Sequence, residues 1–322
     1  MYITIGGFTL DDTVTPDGSI YWAAPGGNAL YSAVGARLWG VEVGIVARIG
    51  PDYPQAYLDR LVAAGLDLNG VRRIDTPSFH VWILHEGGGR RQIIYRLDSG
   101  HNQDLDPVPD DIPEEYLTSC GAHICPIRGD SQSALSTFLG QRGIPLFLDL
   151  IVIPGQIESE LFGPAAWQQV RAFLPGIEEV QALWGNHPLP ALLREVRASV
   201  PGCFAIKMGA NGSLVYHPAE ERLYHVPAYT TRVVDATGAG DAYCGGFMVG
   251  LQKTGHPVEA ALRGTVSASF VIEDFGALHA LQIPMKQAEQ RLESLRARVI
   301  PIEGAEQLAG VQTTISGKFE ER

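Results

Sequence analysis

The stretch Val233-Val-Asp235-Ala-Thr237-Gly238-Ala239-Gly240-Asp241-Ala-Tyr-Cys-Gly245-Gly246-Phe-Met-Val-Gly250-Leu251 decides how the chain is read. An apolar run enters a Gly-Ala-Gly turn, a carboxylate follows at once, and a helix begins. Glycine admits close backbone approach and positive φ, and the first amides of a helix lack internal acceptors while sharing the positive end of its dipole. Such a turn suits phosphate oxygens. Asp241 beside it is placed to orient an attacking hydroxyl and take its proton, as phosphoryl transfer requires. The same dipole is expected to keep Asp241 ionised at neutral pH. Gly245 and Gly246 each oppose the helix by about 1 kcal/mol relative to alanine, so close packing against a sheet is expected there.

Two other glycine patterns fail at single residues. A dinucleotide fingerprint would need glycine where Tyr243 stands, and a phosphate-binding loop of the Walker type would need lysine where His256 follows Gly250 to Gly255. Neither a dehydrogenase nor a P-loop enzyme is supported.

Outward from this turn the chain alternates. Strand patterns at residues 1–5, 41–49, 123–125, 145–150, 180–184 and 203–208 are interleaved with helical patterns at 28–39, 54–64, 131–142, 164–174 and 188–199. That order implies a parallel sheet covered by helices on both faces. Phe79 to His85 and Arg91 to Leu97, joined by Glu86-Gly-Gly-Gly-Arg90, read as a hairpin that breaks the rhythm. A strand pair at 213–217 and 223–226 follows, its entry marked by an Asn211-Gly212 turn. Helices are expected from 239, over 257–273 and over 284–298, with residues 301–322 as a peripheral tail.

The chain has 322 residues, 45% of them hydrophobic and 19% charged, as in ordinary globular proteins. Its net charge of −12 disfavours nucleic acid and anionic lipid as partners. The start lacks the pattern of a signal peptide and no apolar run reaches membrane-spanning length, so a cytoplasmic protein is expected. Cys120, Cys125, Cys203 and Cys244 show no metal or disulfide spacing and read as free thiols.

Asp235-Ala-Thr-Gly-Ala-Gly-Asp241 closely resembles the C-terminal signature of the ribokinase-like (PfkB) carbohydrate kinases, usually Asp-Thr-x-Gly-Ala-Gly-Asp. Ala24-Pro-Gly26-Gly27-Asn28-Ala-Leu-Tyr31 is similar to the family's N-terminal Gly-Gly signature, and Ile45-Val-Ala-Arg-Ile-Gly50-Pro-Asp52 to its Val-Gly-x-Asp element. Ala205-Ile-Lys207-Met-Gly209-Ala-Asn-Gly212 and Ser269 to Ala277 resemble its nucleotide-side segments, so the likeness covers about residues 1–280.

The resemblance implies a three-layer αβα sandwich over residues 1–300 with a small β-sheet lid from about 12–22 and 79–97. It implies an enzyme using ATP and Mg²⁺ to phosphorylate a hydroxyl of a small sugar or nucleoside. Gly238, Ala239 and Gly240 would form the anion hole, with Asp241 the base. Asp11 would bind acceptor hydroxyls, with Asp12 as a substitute, and Gly26, Gly27 and Asn28 would line the acceptor pocket. Asn186, Lys207, Gly209, Gly212, Thr237, Thr265 and Gly276 would lie on the nucleotide side. Asp235 would stand near a monovalent cation such as K⁺, and the lid would pair two copies into a homodimer. Tyr31 replaces the usual Asn four residues after the Gly-Gly pair, and the family's Asn-x-x-Glu near magnesium is reduced to Asn186-His-Pro-Leu189. A nucleoside kinase, with Phe79, Trp82 or Tyr31 stacking on the base, and a non-catalytic ligand-binding member are the alternatives.

Overall fold

The computed structural model describes residues 1–87, 90–150, 170–303 and 308. The chain enters with β1 (Tyr2–Ile5), β2 (Thr9–Val14) and β3 (Ile20–Gly26), then α1 (Asn28–Arg37), β4 (Val43–Ile49), α2 (Gln55–Ala63) and β5 (Leu66–Arg73). The hairpin β6 (Phe79–Gly87) and β7 (Arg90–Tyr95) follows, then β8 (Ala122–Ile124), α3 (Gly129–Gly140) and β9 (Leu146–Leu148). β10 (Val170–Phe173), α4 (Ile177–Trp184), α5 (Leu189–Ser199), β11 (Cys203–Lys207), β12 (Ser213–His217) and β13 (Arg222–Val226) lead to three helices. These are α6 (Ala239–Thr254), α7 (Pro257–Val271) and α8 (Met285–Arg296), after which β14 (Ile300–Ile302) closes the described fold.

One sheet has the order β14-β13-β12-β11-β10-β9-β8-β1-β4-β5. From β11 to β5 every pairing is parallel, and β12, β13 and β14 extend it antiparallel. β1, β4 and β8 at the centre of the parallel part are buried on both faces, which is why Val43–Ile49 reads as an almost continuous apolar run. Two cores result. Leu30, Val34, Phe247 and Val266 on α1, α6 and α7 fill one face. Leu135 and Leu139 on α3, Val180 on α4 and Leu192 and Val196 on α5 fill the other. This is the expected three-layer sandwich.

Four strands lie apart as β3-β2-β6-β7, the expected lid, which begins at Thr9. Its register puts Asp11 opposite Val81, and Val81 opposite Tyr95; Asp12 opposes Trp82, and Trp82 opposes Ile94. Side chains alternate faces along a strand, so Asp11 and Trp82 point to opposite sides of the lid.

Several expectations are corrected. Residues 180–184 form the second half of α4 instead of a strand, and 170–173 form β10 where a helix over 164–174 was expected; the earlier part of that stretch lies outside the described residues. The pattern misleads because Val180 and Leu183 are apolar at helical spacing in a segment too short to show its period. β5 was not anticipated, since Asp67, Asn69 and the Arg72-Arg73 pair break up its apolar residues Leu66, Leu68 and Val71. Ile300–Ile302 pairs with β13 and belongs to the sheet. Gly245 and Gly246 face helices and not the sheet: a Cβ at Gly245 would overlap the Ser32 carbonyl on α1, and one at Gly246 would reach Ser267 and the Arg263 carbonyl on α7. Backbones touching at these positions offset the poor helix propensity.

Candidate active site

The parallel strands deliver their carboxyl ends to one edge, where β1 runs into Gly6, β9 into Asp149, β10 into Pro175 and β11 into Met208. Open α/β sheets bind ligands at this edge, where the strand order reverses on either side of β1. The start of α6 lies there too. Gly238 caps that helix in the left-handed conformation, φ 73° and ψ 1°. Any side chain at Gly238 would overlap the buried ring of Tyr31, so glycine is required twice over. Ala239 donates its amide to the Ala236 carbonyl over 3.3 Å, while the amides of Gly238, Gly240 and Asp241 find no backbone acceptor among the described residues. The turn is held from below by Asp235, whose Oδ1 accepts the Thr237 amide at 2.9 Å and its hydroxyl at 2.7 Å.

Asp241 stands in the first turn of α6 and keeps only part of its surface open. Burial pushes its carboxyl up to about 7, the nearby Asp149 charge adds to this, and Lys207, its own amide and Arg91 oppose it. The expectation that the helix dipole keeps it ionised is therefore corrected: loss of water outweighs the dipole. A carboxyl titrating near neutrality is better matched to general-base work than an ordinary one.

Asp11 is 5% exposed and accepts the Thr9 hydroxyl at 2.5 Å. Burial raises its carboxyl to about 7 against that bond, with Asp235 and Asp12 adding like-charge repulsion. Asp12 is committed elsewhere, paired to Arg96 and accepting the Ala23 amide at 2.7 Å on the outer lid face. Of the two candidates only Asp11 faces the cleft. Gly26 lies against it so closely that a Cβ would overlap the carboxylate, and Gly27, at φ 103°, passes over the Gly7 carbonyl. Asn28 accepts the Gly7 amide at 2.8 Å and donates to the Pro126 carbonyl at 2.6 Å, tying together the ends of β1 and β8. Trp82 packs edge-on against Trp22 on the outer face, whereas Phe79, on the Asp11 face of the lid, and Tyr31, against the Gly238 turn, are both buried.

On the other side of the turn, Lys207 is buried in an ion pair with Asp149, not spread on the surface. Burial works against its charge, yet Asp149 and the other anionic groups hold its pKa above the usual lysine range. Its Nζ would lie 3.5 Å from a Cβ on Gly240 and is 3.5 Å from the Cys244 thiol, which places the cation beneath the turn. Pro175 accepts the Lys207 amide at 2.8 Å, and Gly176 bridges to it. From there α4 carries Glu179 back over Gly176, where a Cβ would overlap its carboxylate. Burial, then Asp149, raise the Glu179 pKa.

Glu179 was not singled out in the sequence, because residues 180–184 read as a strand and hid the helix start that sets it beside Gly176. Asn186 is exposed beyond the far end of α4. Gly209 (φ 57°) and Gly212 (φ 84°) shape the link from β11 to β12, as expected of the Asn-Gly turn. Thr265 is buried midway along α7, and Gly276 sits beside Pro25 of the lid in a groove with Tyr21 and Phe275. Of the thiols, Cys125, Cys203 and Cys244 are buried and Cys120 is exposed, all free. No described helix is long and apolar enough to cross a membrane.

The family model for pfkB carbohydrate kinases matches residues 3–284. Cytidine kinase from Thermococcus kodakarensis is 29% identical over 276 residues, covering 85% of this chain and 96% of that protein. Ribokinase from Arabidopsis thaliana, solved with ribose and ATP, superposes with a TM-score of 0.73 at 18% identity, covering 91% of this chain and 98% of the other. A nucleoside kinase from Burkholderia thailandensis, solved with inosine, gives 0.72 at 19%, covering 92% and 99%. Likeness at these identities reports the shared fold, and the family match reports the chemistry. With the signature turn, its carboxylate and the lid in place, the chain belongs to the pfkB family of carbohydrate kinases, enzymes that move a phosphoryl group from ATP to a sugar-like acceptor.

Proposed function

We propose that this chain transfers the γ-phosphate of ATP to a hydroxyl of a small sugar or nucleoside held between Asp11 and Asp241. The observation that carries the proposal is the half-buried carboxylate of Asp241 beside the Gly238 and Gly240 amides, which have no acceptor among the described residues. Asp11 accepts hydrogen bonds from acceptor hydroxyls and Asp241 takes the proton of the attacking one. The amides of Gly238 and Gly240, with Ala239 giving up its long bond, hold the phosphoryl oxygens. Gly26, Gly27 and Asn28 fix the acceptor side and let the lid move over it, excluding water.

The nucleotide lies along Lys207, Gly209, Gly212 and Thr237, with Thr265 and Gly276 further out; Asn186 has the least support, being exposed beyond α4. A divalent cation fits this chemistry. Glu179 and Asp149 are the buried carboxylates around Lys207, and they suit Mg²⁺ held largely through water and the phosphates. Bound there, Mg²⁺ neutralises charge on the phosphate chain. The monovalent cation belongs at Asp235, whose Oδ1 is already occupied by Thr237. The outer lid face exposes Trp22 and Ile94 and supports pairing of two copies. An ATP-consuming enzyme of this kind works in the cytoplasm.

A nucleoside acceptor is favoured by one observation, the stacked pair Tyr21 and Phe275, 4.4 Å apart where the lid meets the body. ADP release measured with ribose, other pentoses and hexoses, their phosphates, cytidine and inosine tests both readings. Turnover with cytidine but not ribose selects the nucleoside; binding without turnover of any of them would leave a ligand-binding protein.

A further inference from the structure

His85 and Arg91 oppose each other in the antiparallel pairing of β6 with β7. Strand alternation puts both on the lid face that carries Asp11, looking into the cleft. His85 reaches furthest: its Nε2 is 3.6 Å from Asp235 Oδ1, outside hydrogen-bond range, and its ring meets Phe275 edge-on at 6.0 Å. His85 Nε2 and Arg91 Nε are both shut off from solvent without a hydrogen-bond partner. Arg91 makes no hydrogen bond or ion pair with any described residue.

Arg91 is half-buried, and leaving its enclosed Nε donor unmet costs about 1–3 kcal/mol. What it faces identifies the missing partner. Its charge is felt at Asp241 and at Tyr31, the two side chains that flank the turn from Gly238 to Gly240. Neither pairs with it, so the cation lies on the cleft-facing side of the lid, toward the turn, with no described anionic group bound to it.

Resting on the proposed function, we infer that Arg91, steadied on the lid by His85, is a further catalytic residue that donates to the non-bridging oxygens of the phosphoryl group in flight. In the step, the acceptor oxygen forms its bond to the γ-phosphorus while the bond from that phosphorus to the β–γ bridging oxygen breaks. ADP leaves with the electron pair of the broken bond, and the acceptor proton passes to Asp241. Arg91 neither gains nor loses a proton. Its fork matches two phosphoryl oxygens at once, which a lysine cannot reproduce. Lid closure thereby brings a cation to the transferring group as water is expelled, and ties chemistry to closure.

The shared chemistry is a phosphoryl dianion, and a phosphate carried by the acceptor is the other source. Steady-state kinetics of the full chain, Arg91→Ala, Arg91→Lys and His85→Ala with Mg-ATP and cytidine, ribose or ribose 1-phosphate as probes separate the two. Loss of a transition-state donor predicts that Arg91→Ala lowers kcat about 10²–10³-fold on a phosphate-free acceptor with little change in KM for ATP. Added guanidinium should restore at least part of it, Arg91→Lys should recover little, and His85→Ala should lower kcat less than Arg91→Ala. Arg91→Ala should melt no lower than wild type, because one enclosed, unmet donor is removed and no ion pair with a described residue is lost. An unchanged kcat on phosphate-free acceptors would overturn the inference, as would a loss confined to KM for ribose 1-phosphate. A drop in melting temperature matching the activity loss, without guanidinium rescue, would overturn it too. A wild type inactive on every probe would overturn the proposed function itself, and this inference with it.

Discussion

Replacing Asp241 with Asn should make the protein more stable and inactive together, and the stability gain should grow with pH. Burial raises this carboxyl from 3.8 to about 7, so the ionised form is disfavoured in the folded state. Stability from such a group is complete below the unfolded pKa and is lost as pH climbs through the folded one. A rise of ~3 units at about 1.4 kcal/mol each sets a ceiling of about 4 kcal/mol at pH 8 and about 2 kcal/mol at pH 5. Water reaching the open part of the side chain lowers both figures. Unfolding entropy for a chain of 322 residues is about 0.7 kcal/mol per degree, so Asp241→Asn should melt up to roughly 6 °C higher at pH 8 and up to roughly 3 °C higher at pH 5. Scanning calorimetry without nucleotide at the two pH values reads this directly. A variant no more stabilised at pH 8 than at pH 5 would show that the carboxylate is well hydrated, and the reasoning from a dry cleft would fail.

Gly238→Ala should cost more than the usual 1 kcal/mol of a left-handed alanine, since the new methyl meets the Tyr31 ring; Gly238→Ala with Tyr31→Ala should recover stability relative to Gly238→Ala alone, measured in urea. Lys207→Met strands Asp149 as a buried unpaired charge and should cost about 3–5 kcal/mol in the same assay, whereas an exposed lysine would cost almost nothing. Glu179→Gln should raise the Mg²⁺ concentration needed for half-maximal rate while leaving the acceptor KM within about twofold; equal shifts in both would remove Glu179 from the metal side. The rate should fall about tenfold per unit below pH 7 as Asp241 protonates, and a profile flat down to pH 5 would contradict its titration.

The sandwich, the small second sheet and the glycine turn at the start of α6 could be read in the chain because each rests on a local pattern. Long βα units show their period, and Gly238 to Asp241 set two glycines and a carboxylate at a helix start within four residues. The rest depended on contacts distant in sequence. Lys207 reads as a surface lysine until β9 sets Asp149 beside it. Glu179 needs β10 and α4 to start where they do, in a segment whose period is too short to see. Asp11 and Asp12 are equivalent in sequence, and only the pairing of β2 with β6 turns one inward and the other onto Arg96. Arg91 sits at a hairpin tip, and nothing local to it in sequence aims it until β6 and β7 pair.

The central claim is that Asp241 and the adjoining turn transfer phosphate between two ligands in one cleft. Radiolabelled γ-phosphate of ATP followed to cytidine and ribose in a single turnover, for wild type and Asp241→Asn, tests it most directly. Label should reach an acceptor with wild type, and the variant should bind ATP with similar affinity yet transfer it at least about 10²-fold more slowly. Transfer by the variant at the wild-type rate would contradict the account.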